Sequence, residues 1–169
     1  MTQNIGLKPV ENSDPYTDDC HSISTVSDND ILAEYVKRFT IKAGESIRSA
    51  KDAASHFRAF FSDASKKERF VAIFLNGQHQ MLTTEVLFEG SLTSSAVYPR
   101  EVITRVIDLG AAAVIYGHNH PSGCLTPSSS DRAVTKKLQT ALEAIDVETL
   151  DHLVIGGSEH YSFADNRLL

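Results

Sequence analysis

The stretch from Ala111 to Asp131 constrains this chain more than any other. Ala111–Tyr116 (AAAVIY) is a nearly all-apolar run that feeds directly into Gly117-His118-Asn119-His120-Pro121. Such a short run suits a central strand covered on both faces. If the chain stays extended past Tyr116, residues at i and i+2 point to the same side. His118 and His120 then present two imidazoles together at the carboxyl end of a strand, the edge where α/β sheets usually form ligand sites. Two neutral imidazoles are good zinc ligands, and a carboxylate completes the three protein ligands of a catalytic site with an open fourth position. Asp131, at the end of Thr126-Pro127-Ser128-Ser129-Ser130-Asp131, is the natural third ligand, because Ser122–Pro127 is long enough to turn the chain back over the histidines. A metal held by two histidines and an aspartate lowers the pKa of its water to ~7.

Each half of this pattern has a plainer reading. An isolated His-x-His is more often surface decoration or a hydrogen-bonding pair in a loop. Ser128-x-x-Asp131 alone is a helix capping box. Their conjunction after a buried strand, with Pro121 and Gly123 shaping the turn, is far more specific. Ser128 can serve twice, capping the helix and donating a hydrogen bond to the metal-bound oxygen. Cys124 reads as a bystander in the loop, although a thiolate beside zinc could be a ligand or a site of oxidation. His152 reads as a satisfied buried histidine bonded to Asp151 rather than a metal ligand.

The remaining elements read as follows. Asp30–Ile41 can form a short helix with Ile31, Leu32, Tyr35, Val36 and Phe39 on one side. Ser49 to Asp52 resembles a capping box, and Ala53, Ala54, Phe57, Phe60 and Phe61 follow at helical spacing. Phe70–Leu75 is a buried strand, Asn76-Gly77 a two-residue hairpin turn, and Met81–Phe88 the return strand. Pro99 opens a second helix with Val102, Ile103, Val106 and Ile107 as its stripe, and Gly110 is its C-cap. A third helix runs from Ser128 to about Ala144. Leu150–Ile155 and His160–Phe163 form a closing hairpin around Gly156-Gly157-Ser158. Helix, hairpin, helix, strand, helix, hairpin argues an α/β fold with a mixed β-sheet flanked by helices.

The 169 residues suffice for one domain with a real core. No apolar run reaches the ~20 residues that span a bilayer, and the N-terminus lacks the layout of a secretory signal. With two cysteines, Cys20 and Cys124, a disulfide framework is not expected, and a cytoplasmic location is. The net charge of −6 is concentrated at the start: residues 1–30 hold six acids against Lys8 alone. Residues 1–44 therefore read as an acidic, flexible arm containing a short helix, and 45–169 as the folded domain. The local basic excess of Lys37, Arg38, Lys42, Arg48 and Lys51 is more often a solvated helix face than a phosphate track, so charge disfavours DNA as a partner.

GHNHPSGCLTPSSSD (117–131), with YPREV (98–102), LDHLVIGG (150–157) and the terminal YSFADNRLL, resembles the RadC family of JAB/MPN-type proteins. These share the JAMM metal motif of deubiquitinating isopeptidases. The likeness covers about residues 45–169. It implies a cytidine-deaminase-like three-layer fold, Zn2+ held by His118, His120 and Asp131, and an upstream glutamate acting as general base and acid. The family's layout matches that glutamate to Glu68, with Glu85 and Glu101 as rivals. Ser128 would stabilise the tetrahedral oxyanion. Larger family members carry an N-terminal helical module linked to DNA binding, whereas here some 45 residues, acidic in balance, precede the domain, as in a short, single-domain form. A deaminase, which shares the inferred fold, uses His-x-Glu followed by Pro-Cys-x-x-Cys, and this chain has neither. The expected activity is hydrolysis of an amide bond in a peptide or protein substrate. The alternative is a non-catalytic DNA repair or recombination accessory that uses the fold as a binding scaffold; a zinc-dependent nuclease is opposed by the acidic balance. No membrane partner is expected, and the edge made by the last hairpin could pair with a second copy.

Overall fold

The computed structural model describes residues 26–62, 67–90 and 97–169. The expectation of a mobile acidic tail, together with Cys20, lies mostly or wholly outside these residues. Helix α1 (Asp28–Phe39) starts two residues earlier than its apolar spacing suggests, because Ser27 caps it by accepting from the Asp30 N–H. α2 (Ala50–Phe60) is capped by Ser49, whose hydroxyl accepts from the Asp52 N–H while the Asp52 carboxylate accepts from the Arg48 N–H. That cap satisfies one first-turn donor and ties the residue before the cap to the helix.

Strands β1 (Arg69–Leu75) and β2 (Met81–Glu89) form the expected hairpin, but not through a two-residue turn. Asn76 and Gln80 bond across the loop, and His79, not Gly77, takes the left-handed backbone at φ 55°. The Asn76 carboxamide oxygen accepts from the Gln78 and Gln80 N–H groups, which favours this longer turn over the tight one. Helix α3 (Pro99–Leu109) has proline in its first turn and ends at Gly110, φ 62°. Strand β3 (Ala113–Asn119) extends past the apolar run through both Gly117 and His118. Helix α4 (Ser129–Glu143) follows, then β4 (Glu148–Gly156) and β5 (Glu159–Ser162).

The strands form one mixed sheet ordered β2-β1-β3-β4-β5, with β3 and β4 parallel and the other neighbours antiparallel. Strand alternation sorts the core into two faces. Phe70, Ala72, Phe74, Val114 and Tyr116 pack against Val102 and Val106 of α3 and Val134, Leu138 and Leu142 of α4. Val71, Ile73, Leu75, Ala113 and Ile115 pack against Ala53, Ala54 and Phe57 of α2. The result is a helix–sheet–helix sandwich, the mixed sheet flanked by helices expected from the sequence. α1 lies outside it, against α2. The chain between α1 and α2 is tied to α2 and to the β1–β2 hairpin: Ile41 N–H donates to the buried His56, and Ser46 bridges to Gln80.

Because His118 shares the parity of Phe70 and Tyr116, its side chain belongs to the α3/α4 face, under the first turn of α4. Gly117 faces the other way, and the absence of a side chain there lets the Phe57 ring lie against the strand: a Cβ on Gly117 would sit 2.6 Å from it. No helix among the described residues is long and apolar enough to cross a membrane.

Candidate metal centre

Four side chains from three chain segments converge at one end of the sheet. Ligand atoms of Glu68, His118, His120 and Asp131 all lie within 4.8 Å of one another. β3 supplies His118, the residue just past its end is His120, the first turn of α4 supplies Asp131, and Glu68 precedes β1. The Nε2 atoms of the two histidines are 3.0 Å apart. Asp131 Oδ1 is 3.5 Å from His118 Nε2, and Oδ2 is 3.7 Å from His120 Nε2. The side chains of His118 and Asp131 are 0% and 2% exposed, whereas that of His120 is 15% exposed, so the cluster opens to solvent on the His120 side.

The hydrogen-bond network assigns the protons. His120 Nδ1 faces the Cys124 carbonyl at 2.5 Å, and a carbonyl only accepts, so Nδ1 carries the hydrogen and Nε2 a lone pair. For His118 the assignment runs through two further residues. The Thr135 hydroxyl donates to the Asp131 backbone carbonyl at 2.5 Å and so accepts from His152 Nδ1–H at 2.6 Å. His152 Nε2 is then the acceptor for His118 Nδ1–H at 2.8 Å, which leaves His118 Nε2 with a lone pair as well. Two lone pairs thus face each other at 3.0 Å beside a carboxylate. Like electron pairs at that distance repel unless a proton or a metal cation lies between them. Tetrahedral zinc with Zn–N bonds of about 2.0–2.1 Å sets its ligand atoms about 3.3 Å apart, and the separations here bracket that value. The donor set fits a divalent cation.

The charges agree. Burial opposes ionisation of Asp131, but the neighbouring His118 and His120 imidazoles and the hydrogen bond from Ser128 outweigh it and hold its carboxyl well below the usual carboxylate range. The Asp131 carboxylate beside it raises the pKa of His120 despite partial burial, helped by the Cys124 carbonyl. His152 is driven well below the usual histidine value by its burial and then by His118, consistent with a neutral ring.

The capping reading of Ser128-x-x-Asp131 holds, and the same geometry leaves Asp131 in the candidate cluster. Ser128 N–H donates to Asp131 Oδ2 at 2.7 Å, and Asp131 N–H donates to Ser128 Oγ at 3.1 Å. The box fixes the carboxylate while its oxygens still face the histidines. Of the three glutamates weighed as base, Glu68 lies in the cluster. Glu85 instead pairs with Arg105, its carboxylate bridged at 2.5–3.0 Å, and Glu101 is an exposed residue in the first turn of α3.

Two roles differ from those read in the sequence. The His152 ring bonds His118 and Thr135, not Asp151; the Asp151 carboxylate instead accepts from the His152 and Ala164 N–H groups and the Ser162 hydroxyl. Strand alternation is the reason: consecutive side chains point to opposite faces. Cys124 contributes its carbonyl to the site, and the residue is otherwise exposed. Thr135 and Asn119 went unnoticed in the sequence. Thr135 is four residues after Asp131, on the same helical face, and a threonine inside an otherwise apolar stripe was the available signal.

The profile of the RadC-like JAB domain matches residues 47–168. A UPF0758 protein of Aliivibrio salmonicida (strain LFI1238) is 52% identical over 99 residues, covering 59% of this chain and 44% of that protein. The UPF0758 protein YfjY of Escherichia coli (strain K12) is 47% identical over 104 residues, covering 62% of this chain and 65% of YfjY. A UPF0758 protein of Haemophilus influenzae (strain 86-028NP) is 49% identical over 104 residues, 62% of this chain and 47% of that protein. The fold and the metal-type cluster thus define a JAB-domain protein. The chain belongs to the RadC family, and its matched stretch spans about half the length of those curated relatives.

Proposed function

We propose that this chain is a zinc-dependent hydrolase that cleaves an amide bond in a peptide or protein substrate. The observation that carries this reading is the convergence of Glu68, His118, His120 and Asp131, with both histidine lone pairs directed into one point. Zinc bound there would lower the pKa of a water to about 7 and polarise the substrate carbonyl.

The chain's own groups supply the rest. The Glu68 carboxylate accepts the proton of the attacking water and returns it to the departing amine nitrogen as the C–N bond breaks, so it finishes ionised as it began. Ser128 spends its acceptor capacity on the Asp131 N–H, and its hydroxyl hydrogen is a separate donor for the carbonyl oxygen that gains negative charge. The Cys124 carbonyl and the His152 ring engage the two Nδ1–H groups, which turns both Nε2 atoms toward the site. Exposure on the His120 side gives a substrate its approach.

The test is cleavage of a peptide and isopeptide library by purified protein, followed by mass spectrometry. Turnover that a chelator abolishes and zinc restores, and that is absent from Glu68→Ala, is expected. Chelator-insensitive turnover, or turnover intact in Glu68→Ala, contradicts the mechanism.

A further inference from the structure

We propose that Asn119, the residue between the two histidines, is the positioning residue that holds Glu68 at the metal centre. This deepens the hydrolase reading and rests on it for the role of Glu68.

The argument starts from where two β-ladders end. β1 and β3 pair down to Phe70 opposite His118. β3 and β4 remain paired one residue further, Asn119 opposite Ile155, and the His120 N–H then donates to the Ile155 carbonyl. The chain carrying the histidines therefore follows β4 just where β1 leaves the ladder. Glu68 lies in that gap, two residues before the last rung.

The Asn119 side chain closes the gap. Its carboxamide oxygen accepts from the Arg69 N–H at 2.7 Å, and its carboxamide nitrogen donates to the Lys67 carbonyl at 3.0 Å. These two bonds bracket Glu68 and replace the backbone rung that the diverging strands cannot make. On the opposite side the Glu68 carbonyl accepts from the Gly90 N–H at 2.8 Å. Glu68 is thus tied to the end of β2 on one flank and to the histidine segment on the other, and Asn119 makes the second tie.

Residue type and parity both matter. A carboxamide offers a donor and an acceptor side by side, as a peptide group does, whereas a carboxylate offers acceptors alone. Asn119 has the opposite parity to His118 and His120, so it can reach β1 while they keep the metal face. His-Asn-His therefore couples ligand geometry to base geometry: a shift of either histidine carries Glu68 with it.

The test compares Asn119→Ala and Asn119→Asp with the unaltered chain. Amide hydrogen exchange on metal-free protein reads the Arg69 N–H directly. Crystal structures read the Glu68 carboxylate position, and zinc content and kinetics follow. In Asn119→Ala, faster Arg69 exchange and a Glu68 carboxylate displaced from His118, His120 and Asp131 are expected. Zinc stays at the level of the unaltered chain, and kcat falls about 10–100-fold at unchanged KM. Asn119→Asp, which retains the acceptor for Arg69, should be intermediate, and it carries the same comparison if the alanine variant does not fold. A Glu68 carboxylate that stays in place in Asn119→Ala overturns the proposal, as does loss of zinc from that variant. If the unaltered chain hydrolyses nothing, the hydrolase reading falls, but the Glu68 position still decides whether Asn119 holds it.

Discussion

His118 Nδ1 and His152 Nε2 meet at 2.8 Å inside a pocket where neither side chain reaches solvent. The contact continues through Thr135 back to the carbonyl of Asp131, so the backbone of one cluster residue orients the ring of another. The His152 ring is itself held by stacking on Phe163, centroids 4.5 Å apart, and by the edge of Phe70 at 5.2 Å. Replacing a partner of this kind weakens metal affinity about 10–100-fold. His152→Leu is therefore expected to lose zinc affinity in that range, and Thr135→Val less, with kcat at saturating zinc much less affected. Competitive titration against a chromogenic chelator checks it.

Two glycines should fail in different ways. A Cβ on Gly117 would meet three atoms of the Phe57 ring at 2.6–2.7 Å, deep between α2 and the sheet. Gly117→Ala should lower stability by about 1–3 kcal/mol, read by denaturant unfolding. A Cβ on Gly156 would sit 2.7 Å from the Gly123 carbonyl and 2.9 Å from Leu125. Those residues belong to the loop whose Cys124 carbonyl sets the His120 proton, so Gly156→Ala should lower zinc affinity more than stability.

Metal binding should depend on pH with a definite sign. His120 has a raised pKa in the metal-free site, and a metal must displace that proton. Zinc affinity should rise with pH until His120 is deprotonated and then flatten. Asp131, held ionised far below neutrality, contributes no slope near pH 7. Calorimetry across pH 5.5–8.5 in buffers of different ionisation enthalpy counts the protons released.

His56 gives a separate pH effect on stability. Its Nδ1 accepts from the Ile41 N–H, and Nε2 lies 2.8 Å from the Thr84 hydroxyl, so the ring is neutral; burial lowers its pKa to about 4. The unfolded chain binds a proton near pH 6.5, where the folded chain does not. Stability should therefore fall as pH drops from about 6.5 to 4, by at most about 3 kcal/mol. His56→Gln should flatten that limb of a denaturant-midpoint profile.

Three residues of the candidate cluster were legible in the sequence because each sits at a fixed offset in regular structure. His118 and His120 are two apart along a strand, and Asp131 is three past a helix cap. The apolar runs Phe70–Leu75 and Ala111–Tyr116 also announced buried strands. What escaped depends on relations between distant elements. Nothing local to Thr135 or His152 announces that α4 and β4 bring them together, and the tie from Asn119 to Arg69 spans fifty positions. The Asn76-Gly77 turn was misread for a local reason: the asparagine carboxamide organises the backbone two and four residues on, and shifts the left-handed residue to His79.

The central claim is that His118, His120 and Asp131 hold one zinc ion. Crystals grown with equimolar zinc, measured on both sides of the zinc absorption edge, test it most directly. An anomalous peak within about 2.0–2.2 Å of His118 Nε2, His120 Nε2 and an Asp131 carboxylate oxygen, absent from Asp131→Asn crystals, is predicted. A map with no peak there, or with the two Nε2 atoms still in contact in the presence of zinc, would contradict it.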